Sequence, residues 1–137
     1  MQSQLHTIPP WLDKKTTALV KDKVKLLVER HPDILAILLY GSLARHEERS
    51  LEEPDPSDVD LLAVFDTDDP HVILSQRRAL FQTIGLAEIQ HLDAPREVNV
   101  MFSTRSSREW DSDFIENVKR DGIILYQRGK LPAAFGA

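Results

Sequence analysis

The chain has 137 residues, of which 42% are hydrophobic, 28% charged and 7% aromatic, a balance that suits one folded domain with a single core and excludes a disordered chain. Its formal charge is -5 and no Lys/Arg run is interleaved with aromatics, so a protein that tracks a nucleic-acid backbone is a poor fit. With no cysteine it offers neither disulfides, thiolate nucleophiles nor sulfur-ligated zinc, which suits a reducing cytoplasm.

Pro9-Pro10-Trp11 leads into a segment where Leu19, Val20, Val24, Leu27 and Val28 recur at helical spacing, with lysines filling the opposite face. His31-Pro32-Asp33 ends that helix, because a proline disfavours helical geometry in the residue before it. Ile34 to Tyr40 then reads as a short, fully buried strand that stops at Gly41, and as the longest apolar stretch it is far too short to span a bilayer. The N-terminus has no signal-peptide pattern, so no membrane attachment and a cytoplasmic location are expected. Residues 46–57 (HEERSLEEPDPS) are polar, acidic and hold two prolines, which predicts an exposed loop.

A second strand is expected from Asp58 through Val59, Leu61, Leu62, Val64 and Phe65. Asp69-Pro70 supplies an N-cap and a first-turn proline, and Val72, Ile73, Arg77, Leu80, Phe81 and Ile84 predict one long helix up to Gly85. Residues 86–94 are ambiguous. Glu97 to Phe102 alternates with a period of two, Val98, Val100 and Phe102 on one face and Glu97, Asn99 and Met101 on the other, the pattern of a half-buried strand. Ser106 and Glu109 form a capping-box pattern that opens a helix with Trp110, Phe114, Ile115 and Val118 inward and Gly122 at its end. Ile123 to Tyr126 adds a last short strand. Helices alternating with strands predict an α/β (α+β) layer fold, expected as a single domain over residues 1–137 with its core at about 20–127.

Two motifs carry chemistry. Tyr40-Gly41-Ser42-Leu43-Ala44-Arg45 directly follows an apolar strand. A glycine there lets the backbone turn sharply against a ligand, and the following residues can open a helix whose free N-H groups face the turn, a seat for phosphate. Ser42 adds a hydroxyl, and Arg45 can reach a phosphate or pair with the acidic loop. Ordinary turn chemistry would account for this stretch if it stood alone. In Ser57-Asp58-Val59-Asp60-Leu61-Leu62 the two aspartates lie two apart at a strand start, so both carboxylates project from one face. Such a pair is either an exposed acidic strand end or a seat for a divalent cation, magnesium suiting hard carboxylate and phosphate oxygens. The coincidence with the Gly-Ser turn one strand earlier favours a site. His6, His31, His46, His71 and His91 have no ligand spacing, although His46 is close enough to the turn to touch a ligand; no nucleophile elbow or P-loop is present.

Gly41-Ser42 after a strand, Arg45, and Ser57-Asp58-Val59-Asp60-Leu61-Leu62 together resemble the signature of the polymerase β-type nucleotidyltransferase superfamily, in particular its minimal single-domain branch. The strand Glu97 to Phe102, the helix after Ser106 and Asp121-Gly122-Ile123-Ile124-Leu125-Tyr126 resemble that family's closing elements, so the likeness covers about residues 20–127. It implies a nucleotidyltransferase palm, a mixed β-sheet flanked by α-helices. It further implies that Gly41 and Ser42, with Arg45, bind nucleotide phosphates, that Asp58 and Asp60 are Mg2+ ligands, and that a third carboxylate stands on a neighbouring strand. That third position falls on Asn99, whose neutral amide binds magnesium more weakly. Glu97, about 6 to 7 Å away on the same strand face, is either a substitute or an ordinary solvent-facing glutamate. The loop before Asp58 is also longer than the family usually has and markedly acidic, a lid or a solvated surface loop.

The expected function is transfer of a nucleoside monophosphate, AMP first, from Mg-nucleoside triphosphate to a hydroxyl acceptor, with Asp58, Asp60 and Asn99 at the catalytic centre. The resemblance implies a helical partner of HEPN type, as in toxin-antitoxin pairs whose antitoxin adenylylates its partner. The alternative is an impaired, antitoxin-like module that binds nucleotide or partner without turnover. An open sheet edge and a naked cleft are compatible with a homodimer.

Overall fold

The computed structural model describes residues 4–5, 8–90, 95–107, 110–132 and 135, with the side chains of 4, 5 and 84–90 outside that description. The elements in order are β1 (Gln4–Leu5), α1 (Lys14–Arg30), β2 (Ile34–Tyr40), β3 (Val59–Phe65), α2 (Pro70–Ser75), α3 (Arg77–Gln90), β4 (Val98–Ser103), α4 (Ser112–Asp121) and β5 (Ile123–Gln127). The five strands form one sheet in the order β1-β5-β2-β3-β4. It is mixed: β2 runs antiparallel to both β3 and β5, whereas β3 and β4 are parallel. A parallel pair needs a crossover, and α2 with α3 supplies it.

β2 is a continuous apolar run because both of its faces are covered. Ile34, Ile37 and Leu39 join Leu19, Val20, Val24 and Leu27 of α1 in the larger core, together with Val59, Leu61, Ala63 and Phe65 of β3 and Leu80 of α3. Leu35, Ala36 and Leu38 face the other way, with Leu62 and Val64 of β3, Ile115 and Val118 of α4, and Leu131. Burying each such leucine or isoleucine contributes about 2 kcal/mol before entropy is charged against it.

The lysines of α1 do not all face water. Lys23 is 5% exposed on the core side of the helix, its long apolar stem covering hydrophobic surface. The helix begins at an Asp13 cap, whose carboxylate accepts from the Thr16 N-H at 2.9 Å and the Thr16 hydroxyl at 2.7 Å.

Three helix boundaries differ from the sequence reading. The expected single helix after Asp69 is two, α2 and α3, parted at Gln76, whose side chain donates to Asp33 at 3.0 Å. α3 also runs through Gly85 to Gln90. A mid-helix glycine costs about 1 kcal/mol against alanine, which the helix formers Leu86, Ala87 and Glu88 after it offset. α4 starts at Ser112, capped by Asp111 accepting from the Phe114 N-H at 2.8 Å. Ser106 instead sits in a turn, exchanging a hydroxyl hydrogen bond with Thr104 at 2.9 Å, and Ser107 is left-handed at φ 56. Glu109, the other half of the expected capping box, and residues 91–94 lie outside the described residues.

No helix among the described residues is long and apolar enough to cross a membrane.

Candidate functional site

The C-terminal end of β2 and the N-terminal ends of β3 and β4 meet at one edge of the sheet. Asp60 is registered between Tyr40 of β2 and Asn99 of β4. Asp58 immediately precedes β3, which starts at Val59 rather than at Asp58 itself. Alternation puts Val59 and Leu61 in the α1-side core and leaves the Asp58 and Asp60 carboxylates together on the other face. A single atom demonstrates the convergence: Asn99 Nδ2 donates to Asp58 Oδ2 at 3.1 Å and to Asp60 Oδ1 at 3.2 Å. Glu97 stands exposed before β4, and its backbone carbonyl accepts from the Val59 N-H at 2.8 Å.

The turn after β2 closes against the same carboxylate. Gly41 has φ +78, a conformation that favours glycine, and a Cβ added there would overlap Asp60 Oδ2. The residues after it do not open a helix, contrary to the sequence expectation. Residues 42–46 form a compact turn in which the Arg45 N-H reaches Gly41 O at 3.2 Å and the Glu47 N-H reaches Ser42 O at 2.9 Å. His46 is left-handed at φ 58, which stops helical propagation. Arg45 extends from this turn to Glu47 at 3.1 Å and Asp121 at 3.9 Å, so it pairs with acids at two places around the site.

Electrostatics follow from this crowding. Burial chiefly, and the like charge of Asp58 next, push the Asp60 carboxyl up, while the Asn99 hydrogen bond and Arg45 pull the other way. Burial and the neighbouring Asp60 push the Tyr40 phenol up to about 12, so it stays protonated. Asp58 and Asp60 thus form a half-buried carboxylate pair answered nearby by one amide. The shallow depression lined by Leu74, Arg77, Arg78 and Phe81 on α2 and α3 has no carboxylate in its lining and follows the opposite end of β3. Among the described residues, the Asp58 and Asp60 carboxylates therefore lie away from that depression.

Residues 22–131 match the family model described as Polymerase beta, Nucleotidyltransferase. The chain belongs to that family. The likeness extends to solved structures. A crystal structure of a toxin-antitoxin with AMP-PNP superposes with a TM-score of 0.51 at 21% identity, covering 79% of this chain and 73% of that one. A mutant of the toxin-antitoxin MntA-HpeT gives 0.51 at 18% identity over 79% and 73%. A protein from Sulfolobus solfataricus assigned to the nucleotidyltransferases gives 0.53 at 16% identity over 88% and 94%. At these identities the likeness is one of fold. No curated protein matches the chain.

Nucleotidyltransferases of this fold generally use a divalent metal. Among the described residues there is no group of three or more His, Asp or Glu placed to hold one, and the side chain beside Asp58 and Asp60 is the amide of Asn99. The donors fit a divalent ion nonetheless. The two carboxylates converge on a single N-H donor, and a half-turn of the Asn99 amide would offer its oxygen to a cation there in place of that donor.

Two residues beside this candidate site escaped sequence reasoning. Trp11 donates its indole N-H to Leu43 O at 2.7 Å and stacks on His46, ring centres 5.0 Å apart, bracing the Gly-Ser turn from the N-terminal segment. Arg96 is buried and bonds to both ends of the acidic loop, accepted by Arg49 O at 2.7 Å and Ser57 O at 2.9 Å. The loop base is further clasped by the Arg49 N-H donating to Ser57 Oγ at 2.7 Å. No motif announces either residue. The signal available was an arginine inside a segment that leads into a half-buried strand, and a tryptophan beside two prolines.

Proposed function

We propose that this chain transfers a nucleoside monophosphate, AMP first, from a magnesium-nucleoside triphosphate to a hydroxyl acceptor. The observation that carries the reading is the shared edge: Asn99 Nδ2 within hydrogen-bond reach of both Asp58 and Asp60, with Gly41 pressed against the Asp60 carboxylate. Asp58 and Asp60 would hold Mg2+, with the Asn99 amide oxygen as a weaker third ligand. When bound there, magnesium would supply charge neutralisation for the triphosphate. Gly41 and Ser42 give the triphosphate a backbone turn it can approach closely, and Arg45 supplies a guanidinium for its oxygens. The acceptor oxygen bonds to the α-phosphorus, the bond from that phosphorus to the bridging oxygen breaks, pyrophosphate leaves, and the hydroxyl proton passes to solvent or a nearby carboxylate.

Similar structures of toxin-antitoxin complexes, one with AMP-PNP, support a nucleotide ligand and a protein partner. The partner proposed is a helical protein of HEPN type that presents the hydroxyl, in a cytoplasmic setting, with the whole chain acting as one catalytic domain. A second reading has its own observation. The Asn99 amide already answers the two carboxylates without a cation, which suits a module that binds nucleotide or partner without turnover.

Isothermal titration of Mg-ATP and label transfer from α-labelled ATP to a co-purified partner separate the two. The transferase binds Mg-ATP and labels the partner, and Asp58→Ala/Asp60→Ala abolishes both. Partner binding that survives in that variant, with no label transferred by the native chain, establishes the module instead.

A further inference from the structure

Arg96 is the buried arginine behind the carboxylate edge, and its side chain is 2% exposed. Nε donates to the Thr16 hydroxyl at 2.9 Å, Nη1 donates to Arg49 O at 2.7 Å and Ser57 O at 2.9 Å, and Nη2 lies 3.6 Å from the Asp13 carboxylate. One planar group therefore ties the cap of α1 to both ends of the acidic loop. Its own backbone leads directly into β4, where the next residue's carbonyl accepts from the Val59 N-H at 2.8 Å.

The chain positions sharpen the point. Ser57, whose carbonyl Arg96 holds, is the residue before Asp58, and Arg96 itself lies three residues before Asn99. The same guanidinium thus anchors the segment that delivers one carboxylate and the strand that delivers the amide facing it. A buried charge is a poor source of net stability, since apolar residues of similar volume often do as well in its place. What a fixed fork of five donors provides, and lysine does not, is simultaneous direction of several acceptors.

We propose that Arg96 is a positioning residue for the metal-binding edge, setting Asp58 against Asp60 and Asn99 by holding the Ser57 carbonyl. This rests on the reading of Asp58 and Asp60 as magnesium ligands, yet the placement it asserts is measurable without magnesium or nucleotide. Outer partners of metal ligands are worth about 10- to 100-fold in metal affinity.

The test uses the 137-residue chain with Arg96→Lys, and, should Arg96→Lys fail to fold, with Thr16→Ala as a milder variant that removes the Nε acceptor and the hydroxyl bond to Asp13 but leaves Nη1 on its two carbonyls. The first readout is the Asn99 side-chain amide in a 15N-1H spectrum without divalent ions, its position for a broken Asp58 contact being marked by Asp58→Asn. In Arg96→Lys the Asn99 signal moves towards that marker while the backbone spectrum stays dispersed, and in Thr16→Ala it moves part of the way. The second readout is the Mg2+ concentration for half-maximal ATP binding, expected to rise about tenfold in Arg96→Lys and to stay unchanged in Arg105→Lys, an arginine at the other end of β3.

An Asn99 signal that stays at its native position in a folded Arg96→Lys or Thr16→Ala overturns the proposal, whatever the nucleotide data. If the native chain shows no magnesium-dependent ATP binding but the Asn99 signal does move, the positioning role stands and the transferase reading is the one that fails.

Discussion

The two ends of β3 both carry a pair of aspartates two residues apart, and they are treated oppositely. At the C-terminal end, Asp66 and Asp68 are met by arginines: Arg105 reaches Asp66 at 3.1 Å and Asp68 at 3.0 Å, and Arg128 reaches Asp66 at 2.6 Å. At the N-terminal end, Asp58 and Asp60 share the neutral amide of Asn99, and Arg45 stands near enough to lower Asp60 but pairs with Glu47 and Asp121. Identical spacing in sequence therefore has two physical outcomes. Where cations answer the acids the cluster is structural and ties Arg105 and Arg128 to β3. Where an amide answers them, like charge is held together at a cost that a ligand can relieve.

The largest effect expected from breaking this contrast is at Asp60. Asp60→Asn should reduce magnesium-dependent transfer by about a thousandfold, since metal charge stabilisation is worth several kcal/mol and each 1.4 kcal/mol is a factor of ten. The same change should raise the melting temperature measured without divalent ions. The folded-state pKa of Asp60 is raised, so its ionised form costs stability at neutral pH, and removing the charge removes that cost. Asp66→Asn should do the reverse, lowering stability by about 0.5 kcal/mol, as partly exposed pairs do, and leaving Mg-ATP binding intact. Calorimetry of the two variants side by side decides it, and equal behaviour would erase the distinction between the two ends.

Next in size is Gly41→Ala, which forces an L side chain into a left-handed position and onto Asp60 Oδ2. A loss of about 1 to 3 kcal/mol in urea unfolding is expected, with weaker Mg-ATP binding in the fraction that folds. Asn99→Asp removes the donor shared by both carboxylates and adds a third charge. It should destabilise the metal-free fold by about 1 kcal/mol, enlarge the stabilisation that magnesium gives, and raise any transferase rate. A fall in rate would count against Asn99 as the third ligand position.

The smallest effect lies at the arginine-rich end, where His31 packs edge-on against Phe65 and shares a 2.7 Å hydrogen bond with Thr83. Burial holds its pKa below the ordinary 6.5, with Asp33 opposing and Arg30 assisting. The unfolded chain therefore takes up the proton first, and stability is full above about pH 6.5 and declines as the pH falls below it. Urea unfolding of His31→Gln should show a flatter dependence between neutral and mildly acidic pH than the native chain.

Much of this was legible beforehand, for identifiable reasons. The burial of β2 and the alternation of β4 follow from periods of about two and from unbroken apolar runs, which are local. The aspartate pair was legible because residues two apart on a strand must share a face. Helix limits were less so. Asp111 displaced Ser106 as a cap, and Gly85 did not end α3, since caps compete and a single glycine costs only about 1 kcal/mol against alanine.

The sequence by itself determined that Asp58 and Asp60 point the same way, that Gly41 follows a buried strand, and that Asn99 occupies the outer face of another. These are consequences of backbone periodicity and of glycine's missing Cβ, which act within a few residues. Only the tertiary structure decided that Asn99 bridges both carboxylates, that Arg105 and Arg128 answer the other acidic pair, and that Arg96 clamps the loop from behind. Those contacts join residues 30 to 60 or more positions apart, and their partners are chosen by strand order and sheet register, which no local pattern encodes.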